Sequence, residues 1–144
     1  MPKRRAPVTK RQYEALANFR YRMRQFLRYS EEITRRHGLT PLQYQLMLQV
    51  KGYPGREWAT ISELAERLQA KHHGVVSLIT RCQRAGLVKR AQSDVDRRTV
   101  HVKLTSRGEA ARARLAELHR DELLAHRDRF DVSAELRSPQ SPGG

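Results

Sequence analysis

Apolar residues recur at helical spacing in two neighbouring runs near the middle of the chain. The first run follows Thr60, contains Ser62 and Glu63 at a plausible helix start, and consists of Leu64, Ala65 and Leu68. After a short break at residues 69–73, the second run consists of Val75, Leu78, Ile79 and Cys82, and Gly86 ends it. The pattern predicts two short helices in tight succession.

Two segments typical of β-strands follow these helices, at residues 87–91 and 99–104. In the second segment, apolar residues at every other position alternate with His101 and Lys103. A polar tip lies between the two segments, at residues 92–98. Two short helices followed by a charged hairpin are typical of a winged helix-turn-helix, in which one helix enters the major groove of DNA and the hairpin lies beside it.

Long amphipathic segments flank this region. Upstream, Thr9 can cap a helix that runs to about residue 36. Its apolar residues lie along one side and are Tyr13, Leu16, Phe19, Met23, Phe26, Leu27 and Ile33. Downstream, Thr105 can cap a helix that ends near residue 129. Its expected buried side carries Leu115, Leu118, Leu123 and Leu124. The first helix is longer than the core of a small domain needs, so we expect it to bury against a partner chain.

Three stretches resemble the MarR family of bacterial transcription regulators. Residues 39–47 (LTPLQYQLM) are similar to the helix that precedes the DNA-reading pair, and residues 61–68 (ISELAERL) to the first helix of that pair. Residues 96–108 (DRRTVHVKLTSRG) resemble the wing, with the spacing D-x-R-x5-L-T beginning at Asp96. The resemblance implies a mainly α fold with a small β-hairpin wing (α+β), and a homodimer made by long N- and C-terminal helices.

The predicted domain organisation follows from these segments. We expect a disordered basic arm at residues 1–8, a single MarR-like domain at 9–134 and a disordered tail at 135–144. Within the domain, residues 9–37 and 106–131 are the expected dimerisation helices, and residues 40–105 the winged helix-turn-helix lobe.

The charge favours a polyanionic partner. The 144 residues include 29 lysines and arginines against 15 acidic residues, a net charge of +14. Nucleic acid is the first candidate partner for such a chain, although arginine-rich helices can also be simple solvated faces. No apolar run approaches the ~20 residues of a membrane span, and no apolar segment follows the basic N-terminus. With one cysteine, Cys82, no intramolecular disulfide can form. We therefore predict a cytoplasmic protein that has no membrane partner.

Nine residues are the predicted DNA contacts. Helix-turn-helix proteins read base edges with the first turns of the second helix, because that end reaches the groove floor. The residues there are Lys71, His72, His73, Gly74, Ser77 and Arg81. At the wing, Arg98 is expected in the minor groove with its guanidinium held by Asp96, and Arg97 at a phosphate. The chain departs from the family at the helix start, where Lys71 replaces a serine-led cap and Gly74 weakens the first turn.

The sequence gives little support for metal binding, redox sensing or catalysis. His72 and His73 point about 100° apart on a helix, which is poor geometry for one metal ion. Cys82 falls on the apolar stripe of its helix, which favours a buried structural thiol over a redox sensor. No catalytic signature appears, so we expect neither an enzyme nor a cofactor.

The sequence therefore predicts a homodimeric, sequence-specific transcriptional regulator that binds double-stranded DNA at a pseudo-palindromic operator. Most members of the family are repressors, so the resemblance further implies a repressor. It also implies that a small aromatic or anionic effector modulates the affinity for DNA. One alternative is a nucleoid-type or architectural DNA-binding protein with little sequence specificity. Another is a protein-interaction module that has lost DNA binding.

Overall fold

The computed structural model describes residues 5–131 and residues 136–137. Residues 1–4 of the predicted arm lie outside the described residues, as does the predicted tail apart from Leu136 and Arg137. The chain divides into two compact units, one of residues 30–120 and one of residues 1–29 with 121–144. Within the described ranges, no helix is long and apolar enough to cross a membrane.

The elements confirm the predicted fold class, mainly α with a small β wing. In chain order they are α1 (Lys10–Arg36), α2 (Pro41–Lys51), β1 (Trp58–Thr60), α3 (Ile61–Leu68), α4 (His72–Arg84), β2 (Val88–Gln92), β3 (Val100–Leu104), α5 (Ser106–Ala125) and a 3₁₀ turn at Arg127–Phe130. Helices α3 and α4 are the predicted pair, and β2 with β3 forms the predicted hairpin. The last helix is shorter than expected, since α5 ends at Ala125 rather than near residue 129.

Threonines start three of the helices by the same local chemistry. The hydroxyl of Thr60 accepts a hydrogen bond from the Glu63 backbone N–H, and the Glu63 carboxylate accepts one from the Thr60 N–H. Thr40 makes the same reciprocal pair with Gln43, and Thr9 with Gln12. Each pair satisfies backbone donors that a helix start otherwise leaves open. These starts are therefore encoded locally.

Among the residues that the structure describes, the sheet has three strands, not the two of the predicted hairpin. Its order is β1-β3-β2, antiparallel throughout. In β1, Ala59 pairs with Val102 of β3, and both side chains are completely buried. The sequence reading missed β1 because three residues are too few to show a period of two. The pairing attaches the wing to the first residues of α3.

Helix α2 supplies the centre of the core in the unit of residues 30–120. Its side chains Leu46, Met47 and Val50 are inaccessible to solvent. Cys82 of α4 is equally buried, and burial raises the pKa of its thiol to about 11 in spite of the nearby positive charge of Arg81. At neutral pH the thiol stays protonated, as a structural side chain requires.

The buried side of α5 differs from the expectation. Leu115 is completely buried, but the next turn buries His119, while Leu124 is 62% exposed. Residues four apart share one helix face, and His119 uses that position to stack on Tyr44, with ring centroids 4.8 Å apart. Its Nδ1 donates to the Leu115 carbonyl at 2.7 Å, and its Nε2 lies 2.7 Å from the Ser30 hydroxyl. A hydrogen-bonded histidine therefore occupies a site that the leucine pattern did not indicate.

In the other unit, three phenylalanines pack edge to face. Phe130 contacts Phe19 and Phe26 with ring centroids 6.3 and 5.9 Å apart and planes near perpendicular. Other large apolar side chains of α1 are exposed, among them Tyr13, Leu16, Tyr21 and Leu27.

The start of α5 packs directly on the start of β2 at Gly108. A Cβ atom added at Gly108 would lie far inside van der Waals distance of the Leu87 carbonyl oxygen, which is backbone and cannot move aside. Thr105 ties the same junction together. Its N–H donates to the Leu87 carbonyl at 3.1 Å, and its hydroxyl donates to the Gly86 carbonyl at 2.5 Å. This position therefore requires glycine for close approach of two backbones.

We expect Gly108→Ala to lower the free energy of unfolding by about 3 kcal/mol, because the added methyl must push α5 away from β2. Urea unfolding measures the change. Ser106→Ala, at an exposed position of the same helix, is the control and should stay within about 0.5 kcal/mol of the parent protein. Equal stability of the two variants would show that the junction can relax.

Candidate nucleic-acid interface

Helix α4 divides into a buried and an exposed side. Val75, Leu78, Ile79 and Cys82 form the buried side. All six residues predicted to read DNA from this helix are exposed: Lys71, His72, His73, Gly74, Ser77 and Arg81. Because the 3.6-residue period places these two sets on opposite sides, packing α4 into the core leaves its polar face on the surface.

The structure brings the start of α4 to the wing. An open groove is lined by Thr60, Ile61, Ser62, His72, Arg98, Thr99 and Val100. His72 and Ser62 also line a second depression, which runs along the turn between α3 and α4. Ser77 and Arg81 border a third, further along α4. Among the predicted residues, His72 of the helix and Arg98 of the wing thus border one groove, and Ser62 joins them without having been predicted.

The tip of the wing is a hydrogen-bonded turn around Asp96. Its carboxylate accepts from the backbone N–H of Arg98 at 3.0 Å and from the Thr99 hydroxyl at 3.3 Å. The expectation that Asp96 holds the Arg98 guanidinium was therefore wrong. An aspartate two residues back bonds the nearer backbone donor, as in an Asx turn, so it shapes the loop and leaves the guanidinium exposed. Arg97 is exposed as well.

Arg90 connects the wing to α4, and the sequence analysis did not identify it. From β2, its guanidinium donates to Gln83 Oε1 at 2.5 Å, to Thr80 Oγ1 at 3.0 Å and to the Val76 carbonyl at 3.4 Å. All three acceptors belong to α4. Only the folded geometry brings them within reach of one side chain, so no spacing in the sequence indicates the contact. Arg90 fixes the wing strand against the helix that carries the candidate reading residues.

The start of α3 is held by a stack of side chains from the loop before it. Trp58 is half-buried between Arg56 and His101. The Arg56 guanidinium carbon lies 3.7 Å and the His101 ring 3.5 Å from its ring centre. Arg56 also pairs with the Glu63 carboxylate. The stack links the loop, the cap of α3 and strand β3.

Glu63 is strongly acidic in this setting. Burial acts to raise its pKa, but hydrogen bonds from Tyr53 and Thr60 and the charge of Arg56 outweigh it and lower the pKa from 4.5 to about 2. The carboxylate therefore stays ionised, and its negative charge lies at the N-terminus of α3, where the helix dipole favours it.

Comparison with known proteins supports this reading of the fold. A sequence model of the MarR family matches residues 37–99, from the end of α1 to the tip of the wing. A MarR-family transcription regulator of known structure, SP03579, is 29% identical with a TM-score of 0.68, over 86% of this chain and 80% of that one. The similarity to the MarR family thus covers the helix-turn-helix region of the chain, residues 37–99.

Other MarR-family structures share the fold. AbsC from Streptomyces coelicolor has a TM-score of 0.71 at 21% identity, over 94% of this chain and 86% of its own. A mutant of MarR from E. coli, solved with operator DNA, has a TM-score of 0.62 at 21% identity, over 80% of this chain and 76% of its own. These proteins are transcription regulators, and the family and fold are not those of enzymes.

An uncharacterised HTH-type transcriptional regulator of Bacillus cereus is 34% identical over 82 residues, or 57% of this chain. A relative in Bacillus anthracis matches to the same extent. The chain spans about half the length of these curated relatives. In the part of the chain that the structure describes, no group of three or more histidine, cysteine or acidic side chains is placed to hold a metal ion.

Stability should depend on pH through Glu63. Its folded pKa of about 2 lies below the ordinary 4.5, so its contribution is complete above pH 4.5 and is lost as the pH falls towards 2. We expect Glu63→Gln to reduce the loss of stability between pH 6 and pH 3 by about 1 kcal/mol, allowing for partial solvent screening. Urea unfolding at both pH values, with Glu66→Gln as the control on the same helix, measures this difference. Identical pH dependence in the two variants would contradict it.

Arg90→Met should loosen α4 without unfolding the protein. Losing three charged hydrogen bonds should cost about 1 kcal/mol or more and should speed amide hydrogen exchange in α4. Lys89→Met removes the same charge from the adjacent, exposed position and should leave both quantities unchanged. Unaltered amide hydrogen exchange in α4 of Arg90→Met would show that the hydrogen bonds of Arg90 do not hold the helix in place.

Proposed function

We propose that this chain is a homodimeric transcriptional regulator that binds double-stranded DNA at a specific pseudo-palindromic operator and acts as a repressor. One observation carries the proposal. The exposed start of α4 and Arg98 of the wing line the same open groove. A helix and a wing side by side suit a major groove and the minor groove next to it.

The charges support a DNA partner. The net charge is +14, and Lys71, Arg81, Arg97 and Arg98 are all exposed on the α4 and wing surface. Phosphates would meet the outer cations, while His73 and Ser77 would reach base edges. The structurally similar E. coli MarR was solved with its operator DNA, which is the partner proposed here.

The exposed apolar side chains of α1 support a dimer. Tyr21 is 61% exposed, and Tyr13, Leu16 and Leu27 are similarly accessible. Contact with a second copy would remove this apolar surface from water. A two-fold dimer would place two α4 helices about 34 Å apart, one turn of DNA. Modulation by a small aromatic or anionic effector belongs to the same proposal and rests on the resemblance to the MarR family.

The deciding experiment selects duplexes from a random pool with the purified protein at about 150 mM salt. Convergence on an inverted repeat whose half-sites lie one turn apart, bound about 10³-fold more tightly than random DNA, is the expected result. Enrichment of A·T content alone would replace this proposal with an architectural DNA-binding protein. Failure to bind any duplex at low salt would instead favour a protein-interaction module.

Two variants locate the wing contact on the selected operator. Arg98→Ala should weaken specific binding by about 10- to 100-fold and leave the dimer intact, because it removes a guanidinium from the narrow groove. Arg114→Ala removes the same charge from α5, where that side chain pairs with Glu117 at 3.2 Å, and serves as the control. Titration of labelled operator measures both affinities, and size-exclusion chromatography checks the dimer. Equal affinities would remove Arg98 from the interface.

A further inference from the structure

Gly74 occupies an exposed position in the first turn of α4 where the fold has no need of glycine. A Cβ atom built there would meet no atom within 4 Å. Its φ is not positive, unlike that of Gly38, Gly55 and Gly86. Gly108, in contrast, is required by a backbone contact. Neither packing nor backbone conformation explains the glycine at residue 74.

The glycine also weakens a helix start that lacks other support. Glycine is among the poorest helix formers because it loses most backbone freedom on folding. Lys71, the residue before α4, makes no side-chain capping bond, and the first turn carries no acidic residue. Both devices stabilise the start of α3, which has Thr60 and Glu63. An alanine at residue 74 would serve the isolated protein better.

Gly74 interrupts a row of exposed side chains on the surface proposed to read DNA. Lys71, Gly74, Ser77 and Arg81 follow one another at intervals of three or four residues, so they share one helix face, and all four are exposed. We call this row the reading ridge. At Gly74 the ridge lacks a side chain, so it has a gap of about that size on the surface proposed to read DNA.

We propose that the gap at Gly74 receives the C5-methyl group of a thymine in each half-site of the operator. This inference rests on the proposed function. The thymine methyl is the apolar group that projects from the base edges into the major groove, and small apolar surfaces recognise it. The bare Cα of Gly74 offers such a surface and lets the backbone approach closely. Residue 74 thus determines specificity because it has no side chain to fill the gap.

Paired changes in the protein and in the DNA test this fit. The selected operator is made with deoxyuridine, which lacks only the methyl group, at one thymine position at a time and in both half-sites together. For the parent protein, the change at one such position should weaken binding about 16-fold, or about fourfold for each of the two buried methyl groups. Gly74→Ala should bind the thymine operator about 10-fold more weakly, because its own methyl competes for the gap. At that same position, deoxyuridine should restore most of the variant's affinity.

Deoxyuridine at the remaining thymines is the matched control and should not rescue the variant. The melting temperature of Gly74→Ala should rise by about 2 °C, which separates lost fit from lost folding. The proposed fit would be overturned if Gly74→Ala lost the same affinity for the thymine and the deoxyuridine operators at every position. Unchanged affinity of the variant for the thymine operator would also overturn it. If the parent protein selects no operator, the proposed function fails, and this inference fails with it.

Discussion

The contact between Gly108 and the Leu87 carbonyl is the constraint on which the rest of the unit of residues 30–120 depends. Leu87 also donates its N–H to the Cys82 carbonyl at 2.9 Å, so one residue joins the end of α4, the start of β2 and the start of α5. Thr105 closes the same junction from β3. The positions of α4 and the wing therefore follow from backbone packing at a point distant from their exposed faces. Two residues of the wing segment, Thr105 and Gly108, belong to this junction.

Some of the positively charged side chains that suggest a polyanionic partner also make contacts within the protein. Arg56 pairs with Glu63, Arg90 bonds three acceptors on α4, and Arg112 pairs with Glu109 at 2.6 Å. These side chains orient α3, the wing and α5. A net charge of +14 thus overstates the cations free to meet phosphate, because a guanidinium with five donors can bridge several elements at once. The three arginines among the proposed DNA contacts, Arg81, Arg97 and Arg98, stay exposed.

The two helices of the helix-turn-helix begin in different ways, and the difference fits their proposed tasks. Helix α3 starts with a complete capping box that is reinforced by an ion pair and an aromatic stack. Helix α4 starts without a side-chain cap and contains a glycine that the fold does not require. Stability is therefore concentrated in the supporting helix, while the proposed reading helix keeps its first turn clear of protein contacts. Functional surfaces commonly give up local stability in this way.

Local chemistry and periodicity were enough to predict the fold class, the threonine caps of α1 and α5, the order of α3, α4 and the hairpin, and the exposed face of α4. These features depend on residues within a few positions of one another, so a sequence displays them directly. Strand β1, the buried His119, the Arg90 bridge and the role of Asp96 were decided only by the tertiary structure. Three of these depend on partners distant in the chain, and Asp96 had a choice between two nearby donors on Arg98. The spacing of residues along the chain does not show which distant groups come into contact when the protein folds. Those contacts are set by how whole helices and strands pack.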